Sequence, residues 1–116
     1  MKENEHVYNK LVRDKIPEII EKNGDIPVTR TLDDKEYFIE LEQKLLEEFH
    51  EAVARDTGKD KIEEYADMLE VISALAEIQG VTLDEIISIM DKKRKERGAF
   101  SKRIFLEKTI NKKSRW

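Results

Sequence analysis

Apolar residues recur three or four positions apart along most of this chain, the period of a helix with one buried side. The longest such stretch is predicted to start at a cap on Asp33 or Asp34 and to run to about Arg55. It carries Tyr37, Phe38, Leu41, Leu45, Phe49, Ala52 and Val53, and Asp56-Thr57-Gly58 breaks it. A second helix, from about Asp60 to Gln79, has the widest apolar band: Ile62, Tyr65, Ala66, Leu69, Ile72 and Ala76, with Met68, Val71 and Leu75 beside them. It reads as the most buried element, and Gly80 ends it. Thr82-Leu83-Asp84-Glu85 has the capping-box pattern and opens a further helix that Gly98 closes. Ahead of these, residues 8–24 predict an opening segment and a short helix. Asp14 is its N-cap, Pro17 lies in its first turn, and Asn23-Gly24 stops it. Residues 25–32 read as extended, one short edge strand, and residues 99–110 as a second extended segment that covers a partner. The remaining tail, NKKSRW, reads as loose.

The predicted fold is therefore an all-α antiparallel bundle of about four helices with short extended segments, in one domain spanning 1–116. Composition adds a constraint. Charged residues make up 41% of the chain and apolar ones 39%, which leaves little for a core, so completion by oligomerisation is expected. Without cysteine, disulfides, thiol nucleophiles and cysteine-based zinc sites are excluded. No apolar run suits a secretory signal or a membrane span, so a cytoplasmic protein without membrane contact is the expectation.

Charge is distributed unevenly. Residues 1–91 hold 11 lysines and arginines against 24 acids, a net of −13, while residues 92–116 hold 11 against 2, a net of +9. A basic end can serve nucleic acid, but no recognisable module or set of stacking aromatics accompanies this one. It can equally supply cations for phosphates, in the stretch that contains Lys92, Lys95 and Arg97. At the other end, Lys10, Arg13 and Lys15 are further cations able to approach phosphates.

Two acidic clusters carry the candidate chemistry. Glu47, Glu48 and Glu51 form E-E-x-x-E, and Glu64 and Asp67 form E-x-x-D, with twelve residues between. On helices, each cluster sets carboxylates one turn apart on one side, and like charges so close repel. The turn near Gly58 folds the two helices antiparallel, so the clusters face each other. A cation between them would remove the repulsion, and oxygen-only donors suit Mg²⁺ or Mn²⁺. Glu63 could replace Glu64 if the helix were rotated, and His50, inside the acidic run, reads as a helix-surface histidine. The alternative to a metal site is a solvated acidic face on a non-catalytic helical interaction module.

KLLEEFHE (44–51) followed by EEYADMLE (63–70) resembles the all-α nucleoside triphosphate pyrophosphohydrolases of the MazG-like superfamily. YNKLVRDKIPEII and KRKERGAFSKRIFLE resemble its phosphoribosyl-ATP pyrophosphohydrolase-like subgroup, so the likeness spans most of residues 8–107. The resemblance implies Mg²⁺-dependent cleavage between the α and β phosphates of a (d)NTP to a nucleoside monophosphate and pyrophosphate, by a homodimer or homotetramer. Glu48, Glu51, Glu64 and Asp67 fall on the metal-binding positions, and Glu47 is a further ligand or orients the attacking water. Glu47 and Glu48 are then the catalytic candidates, and Lys92, Lys95 and Arg97, with Arg13, the phosphate-binding ones. Hydrolysis of phosphoribosyl-ATP in histidine biosynthesis is the alternative activity.

Overall fold

Four α-helices follow one another in the computed structural model, which describes residues 4–54 and 58–111. They are α1 (Ile16–Lys22), α2 (Asp34–Ala54), α3 (Lys59–Ile78) and α4 (Leu83–Arg97). Of the helix breaker expected at Asp56-Thr57-Gly58 only Gly58 is among the described residues, and of the loose tail expected at 111–116 only Asn111 is. The chain divides into two compact units, Met1–Leu83 and Asp84–Trp116.

Local chemistry accounts for the helix ends. Asp33 caps α2: its Oδ1 accepts the Glu36 N–H at 2.8 Å, and its carbonyl accepts the Tyr37 N–H at 2.9 Å. Glu36 turns outward to Arg30, whose two guanidinium nitrogens reach its two oxygens at 3.3 and 2.9 Å. Hydrogen bonding to Arg30 holds the Glu36 carboxyl below the usual range. α1 and α3 end alike. Asp25 N–H donates to Ile20 O and Gly24 N–H to Glu21 O, and Val81 and Gly80 repeat the pattern onto Ala76 and Glu77. Gly24 (φ 93°) and Gly80 (φ 81°) supply the left-handed residue that this closure requires.

Two local expectations are corrected. The N-cap of α1 is Lys15, not Asp14, and no side chain caps it. The Ile16 N–H already closes a turn onto Arg13 O at 3.0 Å, so Asp14 sits inside that turn, one residue too early. Pro17 does lie in the first turn. Residues 25–33 form no strand, and there is no strand anywhere among the described residues. A β-rich run of this length has nothing to pair with here.

α2 and α3 pack on one another. Only four residues join them, too few to span a helix length, so they run antiparallel. Judged by burial, the seam side of α2 carries Leu41, Leu45, Glu48 and Ala52, and that of α3 carries Glu64, Met68, Val71 and Leu75. Each seam is spaced four, three, four, so it stays on one side of its helix. Leu41, Ala52, Val71 and Ala76 are the buried apolar residues among those described. Two seam positions are glutamates.

The apolar bands divide into two stripes, a further departure from expectation. Leu46, Phe49 and Val53 on α2, and Ile62, Tyr65 and Leu69 on α3, are about half exposed or more. Each trio lies about a third of a turn from its seam, in the same rotational sense. In an antiparallel pair this puts both trios on one side of the hairpin. Glu47, Glu51 and Asp67 lie on the other.

In the second unit, α4 starts with Asp84 and Glu85 and ends with Arg94, Lys95 and Arg97, a distribution that complements the helix dipole. Residues 99–111 contain no helix or strand, and Phe100, Ile104, Phe105, Leu106 and Ile110 are exposed. No helix among the described residues is long and apolar enough to cross a membrane.

Candidate metal centre

The two seam glutamates place the site inside the helix pair. Glu48 is 8% exposed and Glu64 9%. Glu51, one turn beyond Glu48, lies at the solvent edge. One carboxylate oxygen from each of these three residues falls within 4.8 Å of the others. The rotation that puts Glu64 on the seam leaves Glu63 exposed, so Glu64 is the residue that faces α2.

Three ionised carboxylates at this spacing repel strongly, and the site relieves part of that by holding a proton. Burial, first, and a hydrogen bond with Glu64, second, push the Glu48 carboxyl from 4.5 up to about 7. The charges of Asp67 and Glu51 add to the rise, and Lys44 opposes it. At neutral pH Glu48 therefore keeps part of its proton, and a bound cation would drive that proton off.

The other two acids of the motif are engaged by cations. Arg13 Nη2 donates to Asp67 Oδ1 at 2.7 Å. Lys10 Nζ lies 3.6 Å from Glu47 Oε1. Lys44 Nζ lies 3.6 Å from both Glu47 Oε1 and Glu48 Oε1. Lys44 is not among the candidates read from the sequence, which pairs neither Lys10 with Glu47 nor Arg13 with Asp67. Lys44 was legible, because it precedes Glu47 and Glu48 by three and four residues on one helix. The N-terminal pairings had no such signal, since Arg13 and Asp67 are 54 residues apart. His50 is exposed beside Phe49, with ring centroids 5.6 Å apart.

Lys92, Lys95 and Arg97 lie exposed on α4 in the second unit. Beside them Arg94 pairs with Asp91 at 4.0 Å.

Residues 27–94, more than half of the chain, match the phosphoribosyl-ATP pyrophosphohydrolase family. The chain belongs to this family. The matching segment holds α2, α3 and all five acids of the two clusters, whereas Lys10 and Arg13 precede it. An uncharacterized protein of Mycolicibacterium smegmatis is 51% identical over 53 residues, which is 46% of this chain and 54% of that protein. The chain thus spans about half the length of the curated relative it matches. No solved structure matches it.

Proposed function

We propose that the protein is a Mg²⁺-dependent nucleotide pyrophosphohydrolase that cleaves the α–β phosphate bond of (d)NTPs. The products are a nucleoside monophosphate and pyrophosphate. The observation that carries this reading is the convergence of Glu48, Glu51 and Glu64, from two helices, within the segment that matches the family. All three are hard oxygen donors, and among the described residues no histidine or cysteine joins them, so the set fits Mg²⁺ or Mn²⁺.

Glu48, Glu51 and Glu64 would hold the cation, with Asp67 as the fourth ligand. A bound divalent cation would reverse the sign of the site, polarise phosphate oxygens and acidify a water. The chain's own groups do the rest. Glu47, at the rim, orients the attacking water and takes its proton. Glu48 gives up its proton before catalysis and anchors the α2 side of the site. The water oxygen bonds to one phosphorus of the α–β bridge, the P–O–P link breaks, and the leaving group, pyrophosphate if the α phosphorus is attacked or the nucleoside monophosphate if the β phosphorus is, takes the electron pair. Lys92, Lys95 and Arg97 are proposed to offset phosphate charge, Arg97 as a bidentate donor.

The exposed stripes on α2 and α3 support a homo-oligomer, a dimer or tetramer. Leu46, Phe49 and Val53 with Ile62, Tyr65 and Leu69 form an apolar side that a second copy can cover, on the face away from the acids. A cytoplasmic location is part of this proposal. A second substrate reading, phosphoribosyl-ATP, is favoured by the family that the chain matches.

The test is pyrophosphate release from a panel of (d)NTPs and phosphoribosyl-ATP, with Mg²⁺ or with EDTA, on wild type and Glu48→Ala. Release that needs Mg²⁺ and is lost in the variant is expected. Undiminished turnover in Glu48→Ala would reject the site. No release from any nucleotide would favour a non-catalytic helical module.

A further inference from the structure

Two cations of the N-terminal segment straddle the helix pair on its acidic side. Lys10 reaches Glu47 on α2 and Arg13 reaches Asp67 on α3. Leu11, between them, is half-buried, whereas Lys10, Arg13 and Val12 are exposed. Glu47 and Asp67 are the two acids of the motif outside the converging trio. The segment thus neutralises the part of the acidic site that the three clustered carboxylates do not share.

We propose that Lys10 and Arg13 are exchangeable counter-cations: they occupy the acid site when no divalent cation is bound, and pass to the phosphates of the bound anion when one is. Asp67's place as a ligand and the anion's identity rest on the pyrophosphohydrolase reading; the two ion pairs do not.

Three observations carry this. First, Asp67 cannot serve Arg13 and a shared cation at full strength. Drawing its charge toward Glu48, Glu51 and Glu64 weakens the 2.7 Å bond that holds the guanidinium. Second, both pairs are accessible, with side-chain exposures of 58% and 41% for Arg13 and Asp67 and 43% and 35% for Lys10 and Glu47. Ion pairs this exposed are weak, so release is easy, whereas a buried pair would resist it. Third, the freed groups suit a polyphosphate. Arg13 offers a planar fork and Lys10 a mobile point charge, three residues apart on the side where the carboxylates converge.

The exchange makes two opposite predictions for one substitution. Arg13→Gln or Lys10→Gln removes a competitor for the acids, so Mn²⁺ alone should bind about two- to fivefold more tightly, as expected for loss of an exposed ion pair. The same variants, saturated with Mn²⁺, should bind inorganic pyrophosphate several-fold more weakly. Isothermal calorimetry on the full chain reads both. Arg13→Lys retains the charge and should keep wild-type Mn²⁺ affinity while losing part of the pyrophosphate affinity. Lys15→Gln removes the same charge from the same segment without either contact and should shift Mn²⁺ binding less.

Mn²⁺ binding that is unchanged or weaker in Arg13→Gln, or tightened no more than in Lys15→Gln, would overturn the competition. Tighter Mn²⁺ binding with undiminished pyrophosphate binding would overturn the hand-over. If both shifts occur yet no nucleotide is hydrolysed, the exchange stands and the pyrophosphohydrolase reading falls.

Discussion

Replacing Glu48 by Gln should separate what the site costs the fold from what it contributes to function. Glu48 occupies a seam position between α2 and α3, and its carboxyl is pushed from 4.5 up to about 7, by burial first and by its hydrogen bond with Glu64 second. A folded-state value above the unfolded one means that the proton stabilises the fold. The contribution is present in full below about pH 4.5 and is lost as pH rises through about 7. The displacement corresponds to about 3 kcal/mol. At about pH 8, with EDTA present, wild type carries that cost in full. Gln has the same shape, has no charge to desolvate, and can donate an N–H to Glu64. The variant should therefore be about 2–3 kcal/mol more stable there, a rise in Tm of about 10 °C for a chain of this size. At about pH 5 wild-type Glu48 holds its proton, and the difference should shrink to near zero. Added Mg²⁺ should stabilise wild type and leave the variant unmoved. Thermal melts by far-UV circular dichroism, at one fixed protein concentration, read all three. A variant no more stable than wild type at the higher pH, or a difference that persists at the lower one, would refute the reasoning.

Two further outcomes follow from the packing and the caps. Asp33→Ala removes the acceptor of the Glu36 N–H and should destabilise the fold by about 1 kcal/mol, while Asp33→Asn should retain most of the stability in urea titrations. Phe49→Asp and Leu69→Asp place charge on the exposed apolar side and should move the protein to a monomer in sedimentation velocity with helicity retained; wild-type sedimentation in both would reject that side as the contact between copies.

Local rules reach far in this chain. α2, α3 and α4 begin and end within a residue or so of where caps, glycines and apolar period put them, because each of those signals acts within a few residues. The acids were legible for the same reason: i, i+3 and i, i+4 spacing sets them on one side of a helix whatever the helix packs against. Periodicity does not say which half of a wide apolar band faces the neighbour. It therefore could not separate the Met68–Val71–Leu75 seam from the exposed Ile62–Tyr65–Leu69 stripe, nor decide between Glu63 and Glu64. The edge strand expected at residues 25–32 failed because β-propensity needs a partner to pair with.

The sequence by itself thus determined the helices, their order and the carboxylate content of the site, all properties of neighbours along the chain. Tertiary structure alone decided that two glutamates take seam positions, that burial and mutual hydrogen bonding raise the Glu48 carboxyl, and that Arg13 meets Asp67 across 54 residues. Desolvation and long-range ion pairing depend on which groups share space, and spacing along the chain does not carry that information.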